Sequence, residues 1–134
     1  MAKNLSHQQL NDIADEFGTP VYVYHAERIT AQYKKLQKAF SNCSARFFYA
    51  CKSLTNVNVL KHIRSIGASI DCVSICEVKL GLLAGFKPED ILFTPNCVDF
   101  DEILEAKELG VYLNIDNISI LEQFGNKFGN TYPV

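Results

Sequence analysis

The chain has 134 residues, a net charge of −2, and hydrophobic and charged fractions of 48% and 21%. This length and composition are those of a globular domain with its own hydrophobic core. The balanced charge and the absence of a basic tail argue against a nucleic-acid partner. No stretch approaches the roughly 18 apolar residues of a membrane-spanning helix, so we do not expect a membrane as partner either.

The first predicted elements are a helix and a short strand. Ser6 followed by Gln9 is a capping box, and apolar residues then recur on one helical face until Gly18 ends the helix. The aromatic and β-branched segment Val21–Tyr24 predicts a strand. We assign residues 1–26 to this amino-terminal segment. A second helical pattern follows it, formed by Ile29, Tyr33, Leu36 and Phe40.

Four short apolar strands follow, and each is succeeded by a helical pattern that stops at a glycine. The predicted strands are Arg46–Cys51, Ser69–Val73, Ile91–Thr94 and Val111–Ile115. The predicted helices cover about 58–66, 76–84, 100–109 and 118–124, and the glycines are Gly67, Gly85, Gly110 and Gly125. A spacing of roughly 20 residues between strands is that of compact βα units.

These units, in residues 27–134, predict an α/β domain with a parallel sheet. Strands that hardly alternate in polarity indicate a sheet covered on both faces. Periodicity does not distinguish a segment of a βα barrel from an open doubly wound sheet. The sequence has neither a G-x-G-x-x-G nor a G-x-x-x-x-G-K-[ST] motif, which excludes the usual dinucleotide and P-loop sites.

The five cysteines are an odd number and form no C-x-x-C pair. The amino terminus also lacks the apolar run of a signal peptide, so we expect free thiols in a cytoplasmic protein. A zinc site composed of Cys72, Cys76 and His62 would have the wrong ligand spacing. The sequence therefore predicts no metal site.

Lys52 closes the first apolar strand of the array. Counting by twos places Phe48, Ala50 and Lys52 on one face. In a βα barrel the carboxyl ends of the strands form the active site, where partial burial of an amine favours its neutral, nucleophilic form. The alternative is a solvated lysine that marks the end of the strand.

Acidic and small polar residues follow the other strands. Asp71 lies in an apolar strand, where a charge needs a partner, and it could face the same edge as Lys52. Ser74 and Glu77 match a helix capping box, which alone explains both residues. The strand ends at 93–96 and 114–117 are also polar, and they predict either a barrel mouth or helix caps.

Five segments, taken in order, form a specific combination. They are Phe17–Tyr24, Tyr49–Lys52 (Y-A-C-K), Ile70–Glu77, Ala84–Asn96 and Asn114–Gly125. This set resembles the fold-type III, alanine-racemase-like pyridoxal phosphate enzymes, and within them the diaminopimelate decarboxylases of the Bacteroidetes type. The resemblance extends over nearly the whole chain.

The resemblance implies roles for three residues. Lys52 ends the family's Y-A-x-K motif and would bind pyridoxal 5'-phosphate through its amine. Asp71 matches an aspartate near the cofactor, and Glu77 matches an acidic residue six positions further on, behind the site. Two dipeptides differ from those of many members: Ser53-Leu54 stands in place of A-N, and Ile75-Cys76 in place of G-G.

The resemblance also implies an architecture. The chain would form about four βα units of a (βα)8 TIM-type barrel. The helix and strand before them would belong, in the family, with a C-terminal β-domain that is absent here. Family members have several hundred residues and are homodimers. We therefore expect a fragment that is inactive on its own.

The implied reaction is decarboxylation of a small amino acid, meso-2,6-diaminopimelate, to L-lysine and carbon dioxide, the last step of lysine biosynthesis. Two alternatives come from the same family: a decarboxylase of ornithine, arginine or carboxynorspermidine, and a non-enzymatic pyridoxal phosphate carrier. A further alternative is an α/β domain without a cofactor. Only the overall resemblance favours decarboxylation of diaminopimelate over these alternatives.

Overall fold

The structure is a computed structural model that describes residues 4–134. Its residues form two compact units, one that ends at Ala45 and one that runs from Arg46 to Val134. The division predicted after residue 26 follows the domain plan of the family, and it stays a prediction.

The first unit contains two helices, α1 (His7–Phe17) and α2 (Ala26–Ala39). The predicted capping box at the start of α1 is confirmed. The Ser6 hydroxyl accepts a hydrogen bond from the Gln9 N–H at 3.2 Å, and the Gln9 side chain accepts one from the Ser6 N–H at 2.9 Å. Gly18 ends α1, as predicted, in a left-handed conformation with φ of 78°.

The predicted strand at Val21–Tyr24 is wrong, because the structure forms no strand there. A strand depends on hydrogen bonds to a neighbouring strand, and within residues 4–134 no strand pairs with this segment. Its aromatic side chains are exposed, with Tyr22 at 88%. A high β propensity is therefore not sufficient without a pairing partner.

The second unit alternates strands with helices. The strands are β1 (Phe48–Ala50), β2 (Ser69–Cys72), β3 (Ile91–Phe93) and β4 (Tyr112–Leu113). The helices are α3 (Val57–Ser65), α4 (Ile75–Leu83), α5 (Phe100–Glu108) and α6 (Ile118–Phe128). Short 3-10 turns occupy Cys51–Ser53 and Pro88–Asp90. The four predicted βα units are confirmed, with strands shorter than expected.

The four strands form one parallel sheet in the order β1-β2-β3-β4. In its register Ala50 pairs with Asp71, and Asp71 pairs with Leu92. Paired residues in adjacent strands project to the same face of a sheet. Along the chain, each strand is followed by a helix, and the next strand then lies parallel beside the previous one. This is the arrangement of successive βα units in a barrel wall.

Helix α6 continues past the glycine at which it was predicted to end. Gly125 lies inside the helix, which runs to Phe128 before Gly129 ends it. The centre of the Phe128 ring lies 4.8 Å from that of the buried Phe124 ring, and this contact packs the last turn of the helix. A single glycine in a helix costs only about 1 kcal/mol, which tertiary packing overrides.

Gly81 shows which face of the sheet the helices cover. A Cβ placed on Gly81 of α4 would lie 2.3 Å from Ile70 Cδ1 and 3.3 Å from Ile91 Cδ1. Helix α4 thus lies directly against one face of β2 and β3. Ile70 and Cys72 project to this covered face, whereas Asp71, between them, projects to the opposite one.

The hydrophobic core lies between the sheet and these helices. Its largest fully buried residues are Leu60, Ile70, Val78, Ile91, Phe93, Ile103, Val111 and Phe124. Among residues 4–134, no helix combines the length and the apolar character needed to cross a membrane.

Candidate active site

Lys52 lies at the carboxyl edge of the sheet, immediately after β1. The strand ends at Ala50, one residue earlier than predicted, and Lys52 belongs to the 3-10 turn Cys51–Ser53. Its side chain is exposed, and no acidic residue in the described part of the chain forms a salt bridge with it. The structure thus presents an accessible amine at the edge where barrel enzymes carry their chemistry.

Asp71 is held at the same edge by a residue of the next strand. The Thr94 hydroxyl, directly after β3, donates a hydrogen bond to the Asp71 carboxylate. The Thr94 N–H also donates to the Cys72 carbonyl at 2.8 Å, which fixes the backbone of both strand ends. Asp71 therefore has the partner that the sequence required for a charge in an apolar strand.

Lys52 and Asp71 belong to adjacent βα units of the sheet. Ala50, two residues before Lys52, is the register partner of Asp71. Asp71 in turn projects away from the face that α4 covers, as the packing of Ile70 on Gly81 shows. The structure places Asp71 on the face opposite to α4 and Lys52 in the turn directly after the neighbouring strand, so both predicted site residues lie at the carboxyl edge of the sheet.

Glu77 lies elsewhere, in the first turn of α4. The Ser74 hydroxyl accepts a hydrogen bond from the Glu77 N–H at 3.2 Å, as a capping box predicts. The Glu77 carboxylate, however, accepts from the Val73 N–H at 2.8 Å, one residue before the cap. The Ser74 half of the predicted box is confirmed, and the Glu77 half is shifted by one residue.

The buried Glu77 side chain meets two cysteines that sequence reasoning had not connected. Cys51 and Cys72 are both 0% exposed, and Glu77 is 9% exposed. Cys51 directly follows Ala50, and Cys72 directly follows Asp71, so the pair lies at adjacent strand ends. No signal within one strand predicts this cluster, because its members are distant in sequence.

The hydrogen bond between the two thiols shifts their pKa values in opposite directions. The hydrogen bond to Cys51, together with burial, raises the pKa of Cys72 far above the usual range of a thiol. The same hydrogen bond lowers the pKa of Cys51, against the opposing effect of burial. The three other cysteines, Cys43, Cys76 and Cys97, are exposed.

The polar residues after β4 act as a helix cap. The Asn117 side chain accepts hydrogen bonds from the N–H groups of Ser119 at 2.8 Å and Ile120 at 3.4 Å. Of the two predicted polar strand ends, the one after β3 supplies Thr94 to the site, and the one after β4 caps α6.

Comparison with known proteins identifies the family. A family model described as the pyridoxal binding domain of pyridoxal-dependent decarboxylases matches residues 26–131. The chain belongs to this family. The relation to pyridoxal-dependent decarboxylases also decides what periodicity left open, since the parallel sheet matches their amino-terminal barrel domain and not an open doubly wound sheet.

The chain is also similar to individual pyridoxal-dependent decarboxylases. A diaminopimelate decarboxylase of Methanothermobacter thermautotrophicus is 45% identical over 112 residues, which are 82% of this chain and 26% of that protein. The crystal structure of diaminopimelate decarboxylase from Helicobacter pylori complexed with L-lysine has a TM-score of 0.79 and 27% identity, and the match covers 90% of this chain and 32% of that one.

A lysine/ornithine decarboxylase from Vibrio vulnificus complexed with putrescine has a TM-score of 0.82 and 26% identity. This match covers 93% of the present chain and 35% of the Vibrio chain. The chain thus spans about a quarter to a third of the length of these relatives.

Proposed function

We propose that this chain is the amino-terminal part of a pyridoxal-phosphate-dependent diaminopimelate decarboxylase in which Lys52 binds the cofactor. The observation that carries the proposal is the position of Lys52, an exposed amine at the carboxyl edge of a barrel wall. The identity of 45% with a diaminopimelate decarboxylase supports the substrate, meso-2,6-diaminopimelate.

The residues at this edge fit the cofactor. Pyridoxal phosphate needs an amine that condenses with its aldehyde, and the Lys52 amine is accessible and free of a salt bridge within residues 4–134. The Asp71–Thr94 pair provides polar groups at the same carboxyl edge of the sheet. The apolar sheet beneath gives both a rigid base.

When bound, pyridoxal phosphate supplies an electron sink for the electron pair that remains after loss of carbon dioxide. Lys52 would hold the cofactor through its Nζ atom. When its amine is not bonded to the cofactor, Lys52 would hold or transfer a proton at the same edge. The Thr94 hydrogen bond orients the Asp71 carboxylate at this edge of the sheet.

Glu77 has a different place in the proposal. Its carboxylate contacts the Val73 N–H on the covered side of β2, so it would act behind the site by fixing the chain segment after Asp71. Such a role agrees with the sequence-based prediction, and it remains a prediction. We also propose a cytoplasmic location and, for the protein of full family length, a homodimer.

The likeness to the Vibrio vulnificus lysine/ornithine decarboxylase supports an alternative substrate such as ornithine. Among the solved structures, the identities of 27% with the Helicobacter pylori diaminopimelate decarboxylase and 26% with the Vibrio enzyme do not separate the two substrates. We prefer diaminopimelate because of the 45% identity with the Methanothermobacter diaminopimelate decarboxylase.

The cofactor residue can be tested by trapping. Pyridoxal phosphate is added to the chain, the bond to lysine is reduced with borohydride, and labelled peptides are mapped. We expect the label on Lys52, its loss in Lys52→Ala, and its retention in Lys87→Ala, a lysine before β3 at the opposite edge. Label that is spread over several lysines, or that persists in Lys52→Ala, would contradict the proposal.

Catalysis is tested in two chimeras of full family length. This chain is joined either to the remainder of the Methanothermobacter enzyme or to the remainder of the Vibrio enzyme. We expect the first chimera to release carbon dioxide from meso-diaminopimelate and its Lys52→Ala variant to release none. Activity in the second chimera alone would favour the ornithine alternative. Label without carbon dioxide release in either would favour a non-enzymatic carrier.

A further inference from the structure

Three side chains that can bind metals meet on the covered side of the sheet. The Sγ atoms of Cys51 and Cys72 and a carboxylate oxygen of Glu77 all lie within 4.8 Å of one another. All three residues are buried. They lie on the face opposite to Asp71, because Cys72 follows Asp71 on β2.

Three separate elements hold these donor atoms in place. Cys51 begins the turn after β1, Cys72 ends β2, and the register of the two strands sets the cysteines side by side. Glu77 lies in the first turn of α4, and the Val73 N–H fixes its carboxylate at 2.8 Å. A hydrogen bond of this kind orients a metal-binding carboxylate before the ion arrives.

We infer that Cys51, Cys72 and Glu77 form a binding site for one divalent cation of the zinc and cadmium class. Two sulfur donors favour these borderline and soft ions over magnesium or calcium, which prefer oxygen donors throughout. Three protein ligands leave the fourth tetrahedral position to a water molecule.

The donor separations suit such an ion. Bonds of about 2.3 Å to sulfur and about 2.1 Å to oxygen place tetrahedral ligand atoms roughly 3.5–3.8 Å apart. The upper limit of 4.8 Å among the three donors therefore requires only small side-chain movements. Binding would displace the thiol protons, because the ligands are thiolates.

The consequence is structural and does not depend on the proposed catalytic function. The ion would join the ends of β1, β2 and α4 behind the sheet. Cys51 is the chain neighbour of Lys52, and Cys72 is the chain neighbour of Asp71. A bound ion would therefore fix the backbone that carries both residues at the carboxyl edge of the sheet.

The test uses the 134-residue chain with its three exposed cysteines replaced by serine: Cys43→Ser, Cys76→Ser and Cys97→Ser. Cadmium ion is titrated in the presence of a phosphine reductant. We expect one equivalent to bind, a thiolate-to-metal charge-transfer band to appear, protons to be released, and the melting temperature to rise.

Further replacement of Cys51 or Cys72 by serine should abolish the band, and Glu77→Gln should weaken binding while leaving the hydrogen bond from Val73 available. Since a variant can fail to fold, X-ray absorption on the cadmium-loaded triple-serine chain gives a second measurement, with two sulfur neighbours expected. Absence of the band and of the stabilisation, or an ion bound without sulfur, would overturn the inference.

Discussion

Arg46 and Asp90 form an ion pair of 2.7 Å at the amino-terminal edge of the sheet, the edge opposite to Lys52. Arg46 also donates a hydrogen bond to the buried Ser69 hydroxyl at 2.9 Å, and its guanidinium lies 5.0 Å from the Phe48 ring centre. One side chain thus connects the start of β1 to β2 and to the turn before β3. In barrel enzymes this edge serves stability, whereas the other serves catalysis.

Replacing Arg46 should therefore reduce stability while leaving Lys52, at the opposite edge, in place. The ion pair is about 40% exposed and contributes at most about 1 kcal/mol. The loss of the bond to Ser69 adds roughly 1 kcal/mol. We expect Arg46→Met to lower the free energy of unfolding by about 1–2 kcal/mol in urea. Lys87→Met, which removes the exposed pair with Glu89, is the control and should change it little.

The contact between Gly81 and Ile70 predicts a strongly coupled pair of substitutions. Gly81→Ala would place a methyl group 2.3 Å from Ile70 Cδ1, and we expect a loss of about 1–3 kcal/mol in unfolding free energy from overpacking. Ile70→Val removes Cδ1 and should cost about 0.5–1.5 kcal/mol alone. Combined, the two should cost clearly less than their sum, because the methyl group enters the vacated space.

A matched substitution at Gly125 shows what alanine does in a helix without such a neighbour, since a Cβ there would meet no atom within 4 Å. Gly125→Ala should leave stability unchanged or raise it by up to about 1 kcal/mol. Additive effects of the Gly81 and Ile70 substitutions would contradict the packing described for α4 on β2.

The Thr94 hydroxyl should matter for cofactor binding more than for folding. Thr94→Val keeps the shape of the side chain but leaves the Asp71 carboxylate without this donor. Because a hydrogen bond to a charged group is worth about 1.5–3 kcal/mol, we expect pyridoxal phosphate to bind roughly tenfold or more weakly in the full-length chimera. The binding is measured by absorbance titration.

Thr131→Val is the matched control for Thr94→Val. Its hydroxyl donates to the Phe128 carbonyl at 2.7 Å after α6, at a position that we do not assign to the site. Equal weakening of cofactor binding by both variants would count against a role for Asp71 and Thr94 in the site.

Stability should fall in strong alkali through Tyr132. Its hydroxyl donates to the Val111 carbonyl at 2.6 Å, and burial, with a smaller contribution from Tyr112, raises its pKa. Above a pH of about 10 an unfolded tyrosine loses its proton while the folded one retains it, so rising pH favours unfolding. The stabilisation is complete below that pH and is lost as pH passes the folded-state pKa.

Urea unfolding between neutral pH and strong alkali measures this effect. Tyr132→Phe should lower stability at neutral pH by about 1 kcal/mol and should flatten its decrease above a pH of about 10. Tyr22→Phe, at the most exposed tyrosine of the first unit, serves as the comparison. An unchanged alkaline slope in Tyr132→Phe would show that the phenol is not buried in the folded chain.

The order of strands and helices in the second unit could be predicted because the relevant signals are local. Gly67 and Gly85 follow their helices with φ of 85° and 90°. Because glycine adopts such angles without a steric penalty, its position in the sequence marks where a helix ends. The strand at Val21–Tyr24 could not be judged in this way, since strand formation depends on a partner elsewhere.

The candidate site was predicted in part. Lys52 and Asp71 could be proposed as site residues because a charged residue in or after an apolar strand is visible within a few residues of sequence, and their roles remain predictions. The Asp71–Thr94 bond and the meeting of Cys51 with Glu77 depend on strand register and on the approach of α4. Such relations between distant segments have no local signal, so they required the structure.

Successive side chains of β2 project alternately to opposite faces of the sheet, so this strand serves both the hydrophobic core and the candidate site. Ile70 and Cys72 belong to the packed interior, while the half-buried Asp71 projects to the opposite face. Insertion or deletion of one residue in this short strand would exchange the two sets, burying a carboxylate and exposing an isoleucine. Over evolutionary time this segment can therefore change by substitution, but it tolerates no change in length.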